Sequence, residues 1–236
     1  MKNGFPGFPR EAVAFFKNLE KNNRREWFQE RKPFYDETVK GSMTALIEAL
    51  TRDMMEFAPN YVTDPAKAIY RIYRDTRFSK DKTPYKTHIA AVFPRRDLGK
   101  HSASGFYFSV SHKEVEVAAG MYMPAPEIVL AVRNRLAEHH EEFREIVDAK
   151  TLRGLMGDLQ GERLTRPPKG FAKDHPAADL LRYKQLLYYK LLDPGIATTP
   201  KLYPEIVKRF RALTPFVEFL NKPFGMAAKK AASFLR

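Results

Sequence analysis

The sequence predicts an α+β protein: N-terminal helices, a central mainly antiparallel sheet, then C-terminal helices. Three observations carry this. Apolar residues recur at helical spacing over residues 8–58. Residues 69–123 are rich in β-branched and aromatic side chains at period two, with the clearest hairpin near 105–123. Helical spacing then returns over 126–150 and 200–235, with one further strand candidate at 185–192. Helices, consecutive strands and helices again describe segregated rather than alternating elements. No repeat or linker interrupts the chain, so residues 1–236 are expected to form one domain.

The elements follow in order. Pro9 suits the first turn of a helix that carries Val13, Phe16 and Leu19 inward. Asn22-Asn23 interrupts it, and Asn23 with Glu26 reads as a capping box for a second helix. After Pro33, Val39, Met43, Leu46, Ile47, Leu50, Met54 and Phe57 mark a third helix that ends before Pro59. Ile69–Arg74, His88–Phe93, Gly105–Ser111 and Glu114–Met123 read as strands, the last two pairing across a turn at His112-Lys113. Pro126-Glu127 opens a helix carrying Ile128, Val132, Leu136, Phe143 and Ile146; a loop around Gly154, Gly157, Gly161 and Pro167-Pro168 follows. Two helices finish the chain, the second starting at Thr214-Pro215.

Composition narrows the function classes. With no Cys, thiolate nucleophiles, disulfides and Cys-based metal sites are excluded. The apolar stretches are far short of the ~20 residues of a membrane span, and the N-terminus lacks the apolar core of a secretory signal. A soluble, cytoplasmic protein with no membrane partner is expected. The net charge is +13, and it is concentrated. Residues 67–100 hold ten Lys/Arg against three Asp, and residues 201–236 hold eight against two Glu. Acidic and basic side chains balance elsewhere, so both segments attract polyanions.

The chemistry concentrates at Arg71-Ile-Tyr-Arg-Asp-Thr-Arg-Phe-Ser-Lys-Asp-Lys-Thr-Pro-Tyr-Lys86. Arg71, Arg74 and Arg77 crowd three guanidinium groups with few carboxylates to neutralise them. Arg forks bind phosphate or carboxylate bidentately, and Lys82 and Lys86 add point charges. Asp75, Tyr85 and His88 are the candidates for proton transfer. The opposing expectation is an Arg–Asp network that braces a loop. Asn23 and Trp27 could line the same site, or be a helix cap beside a core Trp; Lys169 could reach an anion from its Pro-flanked loop.

The pattern R-x-x-R-D-x-R-F-x-x-x-K-x-x-Y is met at Arg71, Arg74, Asp75, Arg77, Phe78, Lys82 and Tyr85. It resembles the signature of the bacterial and fungal family catalogued as domain of unknown function 2461. Leu19, Asn22-Asn23 and Trp27-Phe28 resemble that family's N-terminal block, and Arg166–Phe171 a later Pro-Lys-Gly-Phe block. The resemblance implies that residues 71–85 form the working site, and it names no reaction.

Glu138-His139-His140-Glu141-Glu142 offers metal-ligand types, but adjacent helical residues diverge by about 100° each and there is no H-E-x-x-H, so no metal is expected. Phosphate-loop, dinucleotide and nucleophile-elbow motifs are absent, and no cofactor is expected. The favoured reading is an Arg-rich strand-loop that binds a phosphorylated or carboxylated small molecule and is open to enzymatic use. The alternatives are a nucleic-acid module using both basic segments, or an interaction protein that docks an acidic partner. Oligomeric state has no sequence signal here.

Overall fold

The computed structural model of the chain describes residues 4–98 and 104–233, with side chains described through Phe224. The helices α1 (Arg10–Lys21), α2 (Arg25–Phe34) and α3 (Gly41–Phe57) come first. Pro9 caps α1 rather than opening it, and Ala12, Phe15, Phe16 and Leu19 enter the core. The capping box at Asn23 and Glu26 does not form: Arg24 is the cap residue of α2, without a side-chain bond, because the Asn23 amide is committed elsewhere. Pro33 also fails to start a fresh helix. It lies inside α2, and the adjoining π-helical turn Tyr35–Lys40 carries the backbone past the missing donor into α3. Tyr35 and Val39 thereby join Met43, Leu46, Ile47 and Leu50 in one buried stripe.

After the single turn α4 (Pro65–Ala68), the chain forms β1 (His88–Pro94), β2 (Gly105–Ser111) and β3 (Val115–Gly120). Then come α5 (Pro126–Glu138), α6 (His140–Asp148), α7 (Lys150–Met156), the short α8 (Ala178–Leu181), β4 (Leu187–Leu192) and α9 (Leu202–Ser233). The strands make one antiparallel sheet in sequence order, β1-β2-β3-β4. The architecture is the α+β arrangement expected from the sequence, hairpin included.

Four features differ from expectation. The helix predicted over 126–150 breaks at His139 (φ −132°, ψ 36°), which redirects α6 so that the Phe143 ring meets Phe216 and Phe219 at 6.0 and 5.0 Å. Gly154, expected in a loop, lies inside α7. The two C-terminal helices are one. Pro215 removes a backbone donor, but Leu213, Phe216, Val217 and Leu220 are fully buried on both sides of it, and packing carries α9 through. Segment 69–74 is extended yet is no ladder strand. It bridges β1 once, at Ile69–Ala91, then folds back on itself at Tyr73–Tyr85.

The core lies on one face of the sheet. Ile89, Ala91, Phe93, Phe106, Phe108, Val110, Val115, Val117 and Tyr188 alternate onto it and are buried. α9 lies across β2 and β3, α1 against β2 and α7 against β4. The Phe210 ring sits centrally, 4.9 Å from Phe106 and 5.7 Å from Phe93. No helix among the described residues is long and apolar enough to cross a membrane.

Candidate functional site

Among the described residues, no helix layer covers the opposite face of the sheet. Antiparallel register sets its side chains in rows across the strands: Ala90, Ser109, Glu116 and Leu191, then Val92, Tyr107, Ala118 and Tyr189, then Pro94, Gly105, Gly120 and Leu187. All of these except Ser109 and Leu191 floor a cleft of about 840 Å³. That volume lies within the ~300–1,000 Å³ range of small-molecule sites.

Irregular chain wraps both edges of this floor. Beside β1, the Tyr70 N–H donates to the Ala90 carbonyl at 2.9 Å, bringing Tyr70 and Lys86 to the wall. Beside β4, Gln160 and Leu187 exchange backbone bonds at 3.0 and 3.2 Å, and the Tyr189 N–H donates to Gln160 Oε1 at 2.8 Å. Gly120 (φ +128°) and Gly161 (φ +135°) stand where this second wall meets the floor. A Cβ would meet Leu186 O at 2.3 Å and Gln185 O at 2.1 Å, respectively.

Titratable groups gather at one end of the cleft. Burial lowers the pKa of Lys86, with help from the charge of Arg71, and lowers that of His88, with help from Lys86. Burial raises Glu116, reinforced by Glu114, and pushes the Tyr107 hydroxyl up to about 12. Lys86 Nζ lies 5.0 Å from the centre of the Tyr70 ring, which is 6.4 Å from that of Tyr107. Within one cleft, burial thus acts on a cation, an imidazole, a carboxyl and two phenols, a pattern that marks candidate sites for ligands or proton transfer.

The basic motif is placed differently. Its hairpin-like base is held by the Arg74 N–H donating to Pro84 O and the Lys86 N–H donating to Ile72 O. Arg74 pairs with Asp81 and bonds the Thr83 hydroxyl. Arg77 grips Asp75 through two parallel bonds of 2.7 and 3.0 Å, which hold that carboxyl down to about 2. Lys82 Nζ donates to Thr76 O at 2.9 Å. Phe78 projects from the tip, 95% exposed. Tyr85 is buried, its ring stacked 4.3 Å from Phe28. Asn23 donates to Tyr85 O at 2.9 Å and accepts from Tyr85 N–H at 3.0 Å, tying the motif to the α1–α2 connection. Trp27 packs on Phe15 under Arg31, and Lys169 is exposed between α7 and α8. Of the sequence candidates, only Lys86 and His88 line the cleft, with exposed Arg71 near enough to act on Lys86.

A family profile described as "Conserved hypothetical protein (DUF2461)" matches residues 11–219. The chain belongs to this family. The match spans all four strands and every residue that lines the cleft. A comparison with curated proteins returned no match.

Tyr70, Tyr107, Ser109 and Glu116 were not singled out from the sequence. A signal was present: opposite the apolar row Phe106, Phe108 and Val110, the hairpin's other face reads Tyr107, Ser109, Glu116 and Ala118. Among the described residues, no three His, Asp or Glu side chains are grouped to hold a metal ion.

Proposed function

We propose that the open sheet face binds a phosphorylated or carboxylated small molecule, with Lys86 and His88 receiving the anion and Arg71 adding charge at the rim. One observation carries this reading: two cationic groups whose charging burial discourages stand together at one end of a ligand-sized cleft. An anion relieves that cost, so binding favours the charged form of both. Glu116 and Tyr107, across the floor, are the groups positioned for proton exchange if the ligand is also transformed. In this reading the remaining motif cations brace the loop, since Arg74 and Arg77 already hold carboxylates.

A continuous nucleic-acid track fits less well. Lys208, Arg209, Arg211 and Lys222 of the second basic segment pair with Glu205, Glu56 and Glu142. α9 also packs on the sheet face away from Lys86 and His88. The side chains of Lys229 and Lys230 lie outside the described residues.

The test is an NMR titration of the His88 ring with inorganic phosphate and with acetate across pH. The expected result is a rise in the His88 pKa on binding. Because the free-protein pKa is lowered, binding takes up protons, and affinity grows as pH falls through and below the ordinary histidine range. Lys86→Met should remove the response. A His88 titration unchanged by either anion would overturn the reading.

A further inference from the structure

We propose that the ligand of this cleft is amphipathic: a carboxylate or phosphate monoester carried on an apolar body that lies along the sheet. The inference rests on the anion site proposed above and adds the class of molecule attached to it.

The floor is graded. The end near His88 carries Lys86, Tyr70, Ser109 and Glu116. Toward Pro94, the rows become Val92, Tyr107, Ala118 and Tyr189, then Pro94, Gly105, Gly120 and Leu187, closed by Met121, Pro124 and Ile128. From His88 to Pro94 is six residue steps, about 20 Å of strand at ~3.4 Å each. An uncovered antiparallel face ordinarily carries polar side chains. Here only the His88 end is strongly polar; the far half of the floor is mainly apolar, with tyrosine rings beside small side chains, and leaves apolar surface for an occupant.

Two polar groups beside the apolar half are already engaged. Gln160 Oε1 accepts from the Tyr189 N–H, and Glu162 pairs with Lys184 at 3.2 Å. A purely polar ligand would find few partners there. An apolar body fits it, and charge complementarity fixes the ligand's direction, head toward Lys86 and His88.

The experiment is calorimetric titration of the full chain with acetate, hexanoate, octanoate and decanoate, and with octyl phosphate and decanol, all below their micelle concentrations. Affinity should rise about three- to fourfold per added methylene until the trough is filled. Decanol should bind at least tenfold more weakly than decanoate, and Lys86→Met should erase that difference. Ala118→Phe, placed on the floor, should cut the chain-length gain. The unmodified chain-length series needs no variant, so a poorly folded Ala118→Phe protein does not blunt the test. Acetate or phosphate binding through Lys86 with no gain from chain length would overturn the amphipathic ligand and leave the anion site standing. Decanol and decanoate binding alike, indifferent to Lys86→Met, would overturn the anion site itself.

Discussion

Asn23 commits both ends of its amide to the backbone N–H and C=O of one residue, Tyr85, 62 positions further along the chain. Each bond contributes roughly 0.5–1.5 kcal/mol, and an orphaned partner costs more than a bond never made. Asn23→Ala is therefore expected to destabilise the protein by about 1–3 kcal/mol in denaturant unfolding. Exchange at the Tyr85 amide should accelerate well beyond that of β2. Glu116 gives a pH signature instead. Its pKa is raised in the folded state, so the folded protein holds that proton more tightly than the unfolded chain. Its contribution is complete below the ordinary value of 4.5 and is lost as pH rises through the folded value. Glu116→Gln should raise the thermal midpoint at neutral pH, with the gain vanishing below pH 4.5; an equal gain at both would show that ionisation is not the cause. Neither effect is legible in the sequence. Asn23 looks like a helix cap until its long-range partner is known, and Glu116 looks like any outward strand residue.

Loop 75–83 shows how ion pairing can hold an apolar residue out of the core. Its acids each bind an Arg, and the tip leaves Phe78 in solvent. Phe78→Ser should change stability by less than about 0.5 kcal/mol, because there is little burial to lose. A larger loss in chemical denaturation would mean that the ring packs on something. α9 makes the contrasting case. Asn221, fully buried in the second half of the helix, donates to Tyr61 Oη and Ser104 O and accepts from the Ser104 N–H, all at 2.8 Å. Asn221→Ala should cost about 2–4 kcal/mol, since three buried groups lose a partner at once. Periodicity located the strands and most helices because one face of each meets the core. It misjudged Pro33 and Pro215, where buried neighbours on both sides outweigh a missing donor. Propensity likewise favoured a strand at 69–74, but the chain pairs once with β1 and turns back before a ladder can form.

For the molecule as a whole, a net charge of +13 says less about partners than its pairing does. Much of the excess at 74–82 and along α9 is tied to carboxylates or backbone carbonyls, whereas Lys86 and His88 open into the cleft. The sequence pointed to the basic motif as one surface. The structure divides it into a braced loop and a flank that delivers Lys86 to the sheet, a division that depends on contacts with α2 and β1 and so has no local signal. The second wall of the cleft has a further consequence, for how the family can diversify. At Gly120 and Gly161, any side chain would collide with backbone rather than with movable neighbours, so those two positions are closed to single substitutions. Variation in what the trough accepts has a freer route through the floor, at positions 90, 92, 107 and 118, which line the cleft. A saturation library confined to those four positions would retain folded members with altered ligand preference, while one built on the two glycines would yield mainly unfolded chains.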